Sequence, residues 1–176
     1  MRDSPTTRPT KSILKESLFN VLQGEIEGRV FVEGFGGSGS VGIEALSRGA
    51  KEAIFVEYDS LSLEVLRKNL SRLRDERAKS FLGDSFTLLP RILEEIEEEG
   101  VLYLDPPFCI RENMQDIYKK CFKMVENIQN PQIFLVIFEH LSDYEMPKTL
   151  GNFCIIKVKK FGKSTLSYYV KESKDV

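Results

Sequence analysis

The chain has 176 residues, 41% hydrophobic and 30% charged, with a net charge of −2 and a sequence pI of about 5.6. That length suits one layered α/β domain. No stretch approaches the ~20 apolar residues of a membrane span, and the acidic balance argues against nonspecific nucleic-acid binding over the whole surface.

The polar start, Met1-Arg2-Asp3-Ser4-Pro5, lacks the apolar core of a secretion signal, so the cytoplasm is the expected compartment. Lys11 to Gln23 reads as a leading helix, with Ile13, Leu14, Leu18, Phe19, Val21 and Leu22 on its apolar face. Arg29–Glu33 reads as a first strand, followed by a glycine-rich turn and a helix to about Ser47, stopped near Gly49. Ala53–Glu57 is a second strand. Ser60 is a plausible N-cap for a helix reaching about Leu73, in which Glu64 and Lys68 stand four apart. Ala78–Leu82 is a short third strand, and a helix from about Ser85 to Glu99 carries Pro90 near its first turns. Val101–Leu104 is a fourth strand ending at Asp105. Glu112–Ile128 reads as a long helix, and Ile133–Phe138 as a fully apolar, central fifth strand. Asn152–Lys159 and Thr165–Val170 alternate more and flank a Phe161-Gly162-Lys163 turn, the pattern of an antiparallel hairpin. Strands alternating with helices imply a parallel sheet. We expect a single domain over 1–176, with a leading basic segment and helix in 1–24 and the α/β core in 29–176.

Three cysteines, Cys109, Cys121 and Cys154, are too few and too scattered for a disulfide framework or a zinc site, and the single histidine, His140, excludes a His-rich metal cluster. No metal is expected. Cys121 and Cys154 read as buried small apolar residues. Two local basic runs offset the acidic balance: Arg2, Arg8, Lys11 and Lys15 near the start, and Lys157, Lys159, Lys160 and Lys163 near the end.

The turn after the first strand contains Gly37-x-Gly39-x-x-Gly42, a literal dinucleotide fingerprint, with Glu57 20 residues beyond Gly37. A nicotinamide or flavin enzyme therefore has to be weighed. Two features oppose it. Gly34, Phe35 and Gly36 separate the fingerprint from the strand, and Glu33 at the strand end would repel a pyrophosphate. An acid there suits a ligand with an ammonium and no phosphate, as in S-adenosylmethionine. On that reading the cofactor contacts are Glu33 to the ammonium, the Phe35, Gly37 and Gly39 turn, Glu57 to the ribose hydroxyls, and Asp84 with Ser85 at the adenine. Acids at successive strand ends place acceptors on the sheet edge where open α/β sheets bind ligands. Singly, the glycines could be a structural turn, Glu57 an ion-pair partner and Asp84 a helix cap.

Asp105-Pro106-Pro107-Phe108 ends the fourth strand. Two prolines cannot continue a central strand, since each lacks an N–H. They fix a stiff corner that orients the Asp105 carboxylate and the Pro106 carbonyl. Two acceptors on the hydrogens of an exocyclic base amine aim its lone pair at a methyl donor, so that catalysis is largely positioning and electrostatics. Phe108 can stack on a base that is splayed out or flipped. The catalytic candidates are thus Asp105, Pro106, Pro107 and Phe108.

These motifs resemble the amino-methyltransferases with an Asp/Asn-Pro-Pro-aromatic signature, and more closely the bacterial 16S rRNA guanine-N2 methyltransferase (RsmD) family. The likeness lies in Arg8-Pro9-Thr10 with Lys15-Glu16-Ser17-Leu18-Phe19-Asn20, in Gly37 through Ala50, in Phe55-Val56-Glu57 with Asn69-Leu70, and in Asp105-Pro106-Pro107-Phe108. It implies a Rossmann-like class I sheet of seven mostly parallel strands with an antiparallel C-terminal hairpin. It implies S-adenosylmethionine as cofactor and a guanine N2 amine of small-subunit rRNA as target, in the subunit or an assembly intermediate. Arg8, Thr10 and Lys11 are then substrate contacts, and a monomer is expected. The chain departs from the family in having Glu33 where Asp is usual, and Gly36 where another small residue is usual. The alternatives are a DNA adenine-N6 methyltransferase, methylation of a protein glutamine, and a non-catalytic relic that binds RNA or an assembly partner.

Overall fold

The computed structural model describes residues 7–107 and 114–172. In chain order the elements are α1 Thr7–Val21, β1 Val30–Glu33, α2 Ser40–Ser47, β2 Glu52–Glu57, α3 Ser60–Leu73, β3 Ala78–Leu82, α4 Ser85–Glu95, β4 Gly100–Leu104, α5 Met114–Glu126, β5 Ile133–Leu141, β6 Thr149–Leu150, β7 Phe153–Phe161 and β8 Ser164–Lys171. They build one sheet in the order β3-β2-β1-β4-β5-β8-β7-β6. β1 to β5 are parallel. β8 returns antiparallel against β5, and β7 and β6 extend from it antiparallel.

Strand alternation divides the apolar residues between two cores. Val30 and Val32, Ile54 and Val56, Leu102 and Leu104, and Val136 and Phe138 face α4 and α5. Phe31, Ala53 and Phe55, Val101 and Tyr103, and Leu135 and Ile137 face α1, α2 and α3. α1 contributes Leu14, Leu18, Phe19 and Leu22 to that second core, so the leading helix is part of the same packed body.

Several expectations are corrected. The sheet has eight strands, not seven, because the two-residue β6 pairs with β7. α1 begins at Thr7 rather than Lys11, since a proline in a first helical turn lacks only an N–H that has no intrahelical partner there. Asp59, not Ser60, caps α3, its carboxylate accepting from the Ser62 N–H at 2.9 Å. α4 stops at Glu95 rather than Glu99: the Asn130 side-chain amide donates to the Leu93 and Ile96 carbonyls and closes the helix there. β5 runs on past Phe138 to Leu141 because β8 pairs with it through Ser164. Cys121 is buried, but Cys154 is only partly so. Cys109 and the expected helix start at Glu112 lie outside the described residues.

Candidate active site

The topology brings five acids to one sheet edge. Asp84, Glu57, Glu33 and Asp105 stand at or just past the ends of β3, β2, β1 and β4, and Glu139 stands in β5, two residues before its end; the five strands are consecutive neighbours. β1 is hydrogen-bonded to both β2 and β4, so the glycine turn and the Asp-Pro-Pro corner share one rim.

Glu33 follows Phe31 on the α2 side of the sheet and is 5% exposed. One carboxyl oxygen accepts from the Gly42 N–H at 2.9 Å, in the first turn of α2. Burial pushes its pKa up to about 8. The Gly42 hydrogen bond opposes that rise, and the nearby Glu139 and Glu57 charges add to it. Among the described residues no ion pair includes this buried acid. Gly42 has to be glycine for this contact, because a Cβ there would meet the Phe55 ring at 2.4 Å and the Glu33 carboxylate at 3.0 Å. Gly39 precedes α2 with φ 79°, and a Cβ would lie 2.0 Å from Leu66. Above Gly37 the space is open, with nothing within 4 Å of where a Cβ would stand.

Glu57 is half-buried, and its carboxylate accepts from the Tyr58 N–H at 2.8 Å. Asp84 caps α4 through the Phe86 N–H at 3.3 Å and takes the Thr87 hydroxyl at 2.9 Å. It is exposed, and a carboxylate with about four lone-pair sites keeps capacity for a further donor. Ser85 is buried, and its hydroxyl donates to the Gly34 carbonyl at 2.6 Å, tying α4 to the end of β1. Phe35 meets Phe86 edge-on, ring centroids 5.9 Å apart, beside Asp84.

On the other side of Glu33, Asp105, Pro106 and Pro107 line a cavity of about 190 Å³ with Thr10, Lys11, Leu14, Glu139 and Ser164. Asp105 is held well above the usual carboxylate range. Burial is the main cause, followed by its hydrogen bond to the Glu139 carboxyl and the Glu139 and Glu33 charges; Lys11 opposes them. Phe108 lies outside the described residues, as does the Arg8 side chain. Sequence reasoning passed over Glu139 and Phe86. The signal for Glu139 was an acid directly after an unbroken apolar run.

The site fits an ammonium-bearing, phosphate-free ligand. Its strand ends offer carboxylates, and the most buried of them has no ion-pair partner among the described residues. The parallel sheet and its antiparallel C-terminal addition are those of the class I methyltransferase fold. The chain belongs to the family described as conserved hypothetical protein 95, which matches residues 1–170. It is similar to YlbH of Bacillus subtilis, 28% identical over 168 residues that cover 94% of this chain and 89% of YlbH. It is also similar to ribosomal RNA small subunit methyltransferase D of Haemophilus influenzae, 40% identical over 108 residues. That match covers 60% of this chain and 55% of the Haemophilus protein, about half its length. The solved structure of yhhF from Escherichia coli superposes with a TM-score of 0.75 at 25% identity, covering 98% of this chain and 90% of that one.

Proposed function

We propose that the protein transfers a methyl group from S-adenosylmethionine to the exocyclic N2 amine of a guanine in small-subunit rRNA. The observation that carries this reading is the pairing of β1 with β4, which sets the Glu33 turn beside the Asp105-Pro106-Pro107 corner. The family, and the rRNA methyltransferase similar over 108 residues, support the same chemistry.

When bound, S-adenosylmethionine supplies a sulfonium methyl whose C–S bond breaks, its electron pair going to sulfur, as the new N–C bond forms. Glu33 accepts from the ammonium of that ligand, and Glu57 accepts from the ribose hydroxyls. Asp84 uses its remaining lone pairs for the adenine amine, while Phe35 and Phe86 form an apolar wall beside it. Ser85 works indirectly by fixing Gly34 and the start of α4. At the neighbouring cavity Asp105 and the Pro106 carbonyl accept the two hydrogens of the target amine and orient its lone pair. The proton lost by the methylated nitrogen leaves through the Asp105 carboxyl to water. Thr10 and Lys11, on the opposite wall, contact the RNA, with Phe108 stacking on the base.

The test has two parts. Mass mapping of small-subunit rRNA from cells with and without the protein is expected to show loss of one N2-methylguanosine; an unchanged map refutes the reading. Asp105→Ala is expected to lower transfer by at least a thousandfold and leave S-adenosylmethionine affinity within about threefold. Normal turnover of that variant removes Asp105 from the mechanism.

A further inference from the structure

We propose that Glu139 reads the target base, forming with Asp105 a two-carboxyl acceptor for the adjacent N1–H and N2 amine of guanine. The inference rests on the guanine-N2 reading above and adds the group that distinguishes guanine from a base lacking a hydrogen at N1.

The placement comes from the sheet. β4 and β5 are parallel neighbours with Leu104 opposite Phe138, so Asp105 and Glu139 lie side by side one step further on. Alternation directs both to the α1 side, with Tyr103 and Ile137 behind them. Their carboxyl groups hydrogen-bond to one another. Both line the cavity that also holds Pro106, Thr10 and Lys11. Glu139 is partly buried, and the ion pairs among the described residues do not include it. A half-buried carboxyl set against another carboxyl is poorly satisfied until donors arrive.

Guanine supplies them in the right order. Its pairing edge presents an amine, then N1–H, then the O6 acceptor. Asp105 takes the amine, Glu139 takes N1–H, and the Lys11 ammonium on the same cavity suits O6. The proton on Asp105 moves to water as the base docks. A base with a bare lone pair at N1 sets acceptor against acceptor, which a site built for hydrogen bonds penalises strongly.

The test compares small subunits reconstituted with guanine or with 2,6-diaminopurine at the mapped target position. 2,6-Diaminopurine keeps the N2 amine and loses N1–H. Wild-type protein is expected to favour guanine by at least a hundredfold in kcat/KM. Glu139→Gln is expected to lower kcat/KM on guanine at least tenfold and to shrink the preference at least tenfold, because the Gln amide can donate to the bare N1. Its S-adenosylmethionine affinity and melting temperature are expected to match wild type. An equal loss on both substrates, or no loss on either, overturns the assignment of Glu139. Wild-type methylation of any atom other than guanine N2 overturns the underlying reading, and is seen in the wild-type product before any variant is made.

Discussion

The acid at the end of β1 gives the proposed cofactor site a measurable proton balance. In the free protein Glu33 titrates near pH 8, so at pH 7 about nine-tenths of it is protonated. Accepting from an ammonium requires the ionised form. Binding of S-adenosylmethionine at pH 7 is therefore expected to release close to one proton. Affinity should rise nearly tenfold per pH unit from about 6 to 7.5 and level off near pH 8, where the ligand's own amino group begins to lose its charge. Glu33→Gln keeps an acceptor for the Gly42 N–H and cannot ionise. It should bind more weakly and lose the pH slope. The same carboxyl acts on folding. Its folded value lies above its unfolded one, so its contribution is intact below about pH 4.5 and is lost as pH rises through 8. A shift from 4.5 to about 8, at 1.36 kcal/mol per pH unit, is worth up to about 5 kcal/mol. The ligand-free Gln variant should accordingly melt higher than wild type at pH 8, and the two should converge near pH 5. Titration calorimetry at pH 7 in two buffers of different ionisation enthalpy reads the proton directly. Zero proton release by wild type, or equal pH slopes for wild type and variant, refutes the reasoning.

Three further outcomes follow from packing and titration. Gly42→Ala drives a methyl into the Phe55 ring and against Glu33; denaturant melts should show a loss of about 1–3 kcal/mol, with weakened cofactor binding. His140 is 2% exposed, between the Ser167 hydroxyl and the Leu141 carbonyl, and burial lowers its pKa. Its contribution is present above about pH 6.5 and lost as pH falls through the lower folded value; His140→Gln should flatten the acid limb of a pH–stability curve, and an unchanged limb counts against it. The Tyr168 hydroxyl is buried with no hydrogen-bond partner among the described residues. Tyr168→Phe should therefore leave the melting temperature unchanged or raise it, and a fall of several degrees would reveal a partner for it.

The strand ends were readable because acid residues close apolar runs at Glu33, Glu57 and Asp105, each followed by residues that break a strand. Local pattern suffices for such features. It fails where a distant group decides. α4 is stopped by Asn130, 35 positions beyond Glu95, and nothing between Ser85 and Glu99 announces that. β5 outruns its apolar stretch because β8 supplies hydrogen bonds to Glu139, His140 and Leu141. That extension explains why Glu139 escaped the sequence reading: taken as the residue after a strand, it had no assigned direction. Asp59 and Ser60 are both good caps by type, and only the observed hydrogen bond separates them. Ser85 was placed correctly in the chain, but its hydroxyl bond to the Gly34 carbonyl, 51 positions away, has no local signature.

The insertion of β8 between β5 and β7 bears on how the chain matures on the ribosome. Glu139 lies opposite Leu166 in that ladder, so the strand carrying it has a bare hydrogen-bonding edge until residues 164–171 have emerged. A nascent chain lacking them exposes an apolar strand edge, open to mispairing. Assembly of this part of the sheet has to wait for residues 164–171, and with them comes Ser164, which lines the cavity beside Asp105.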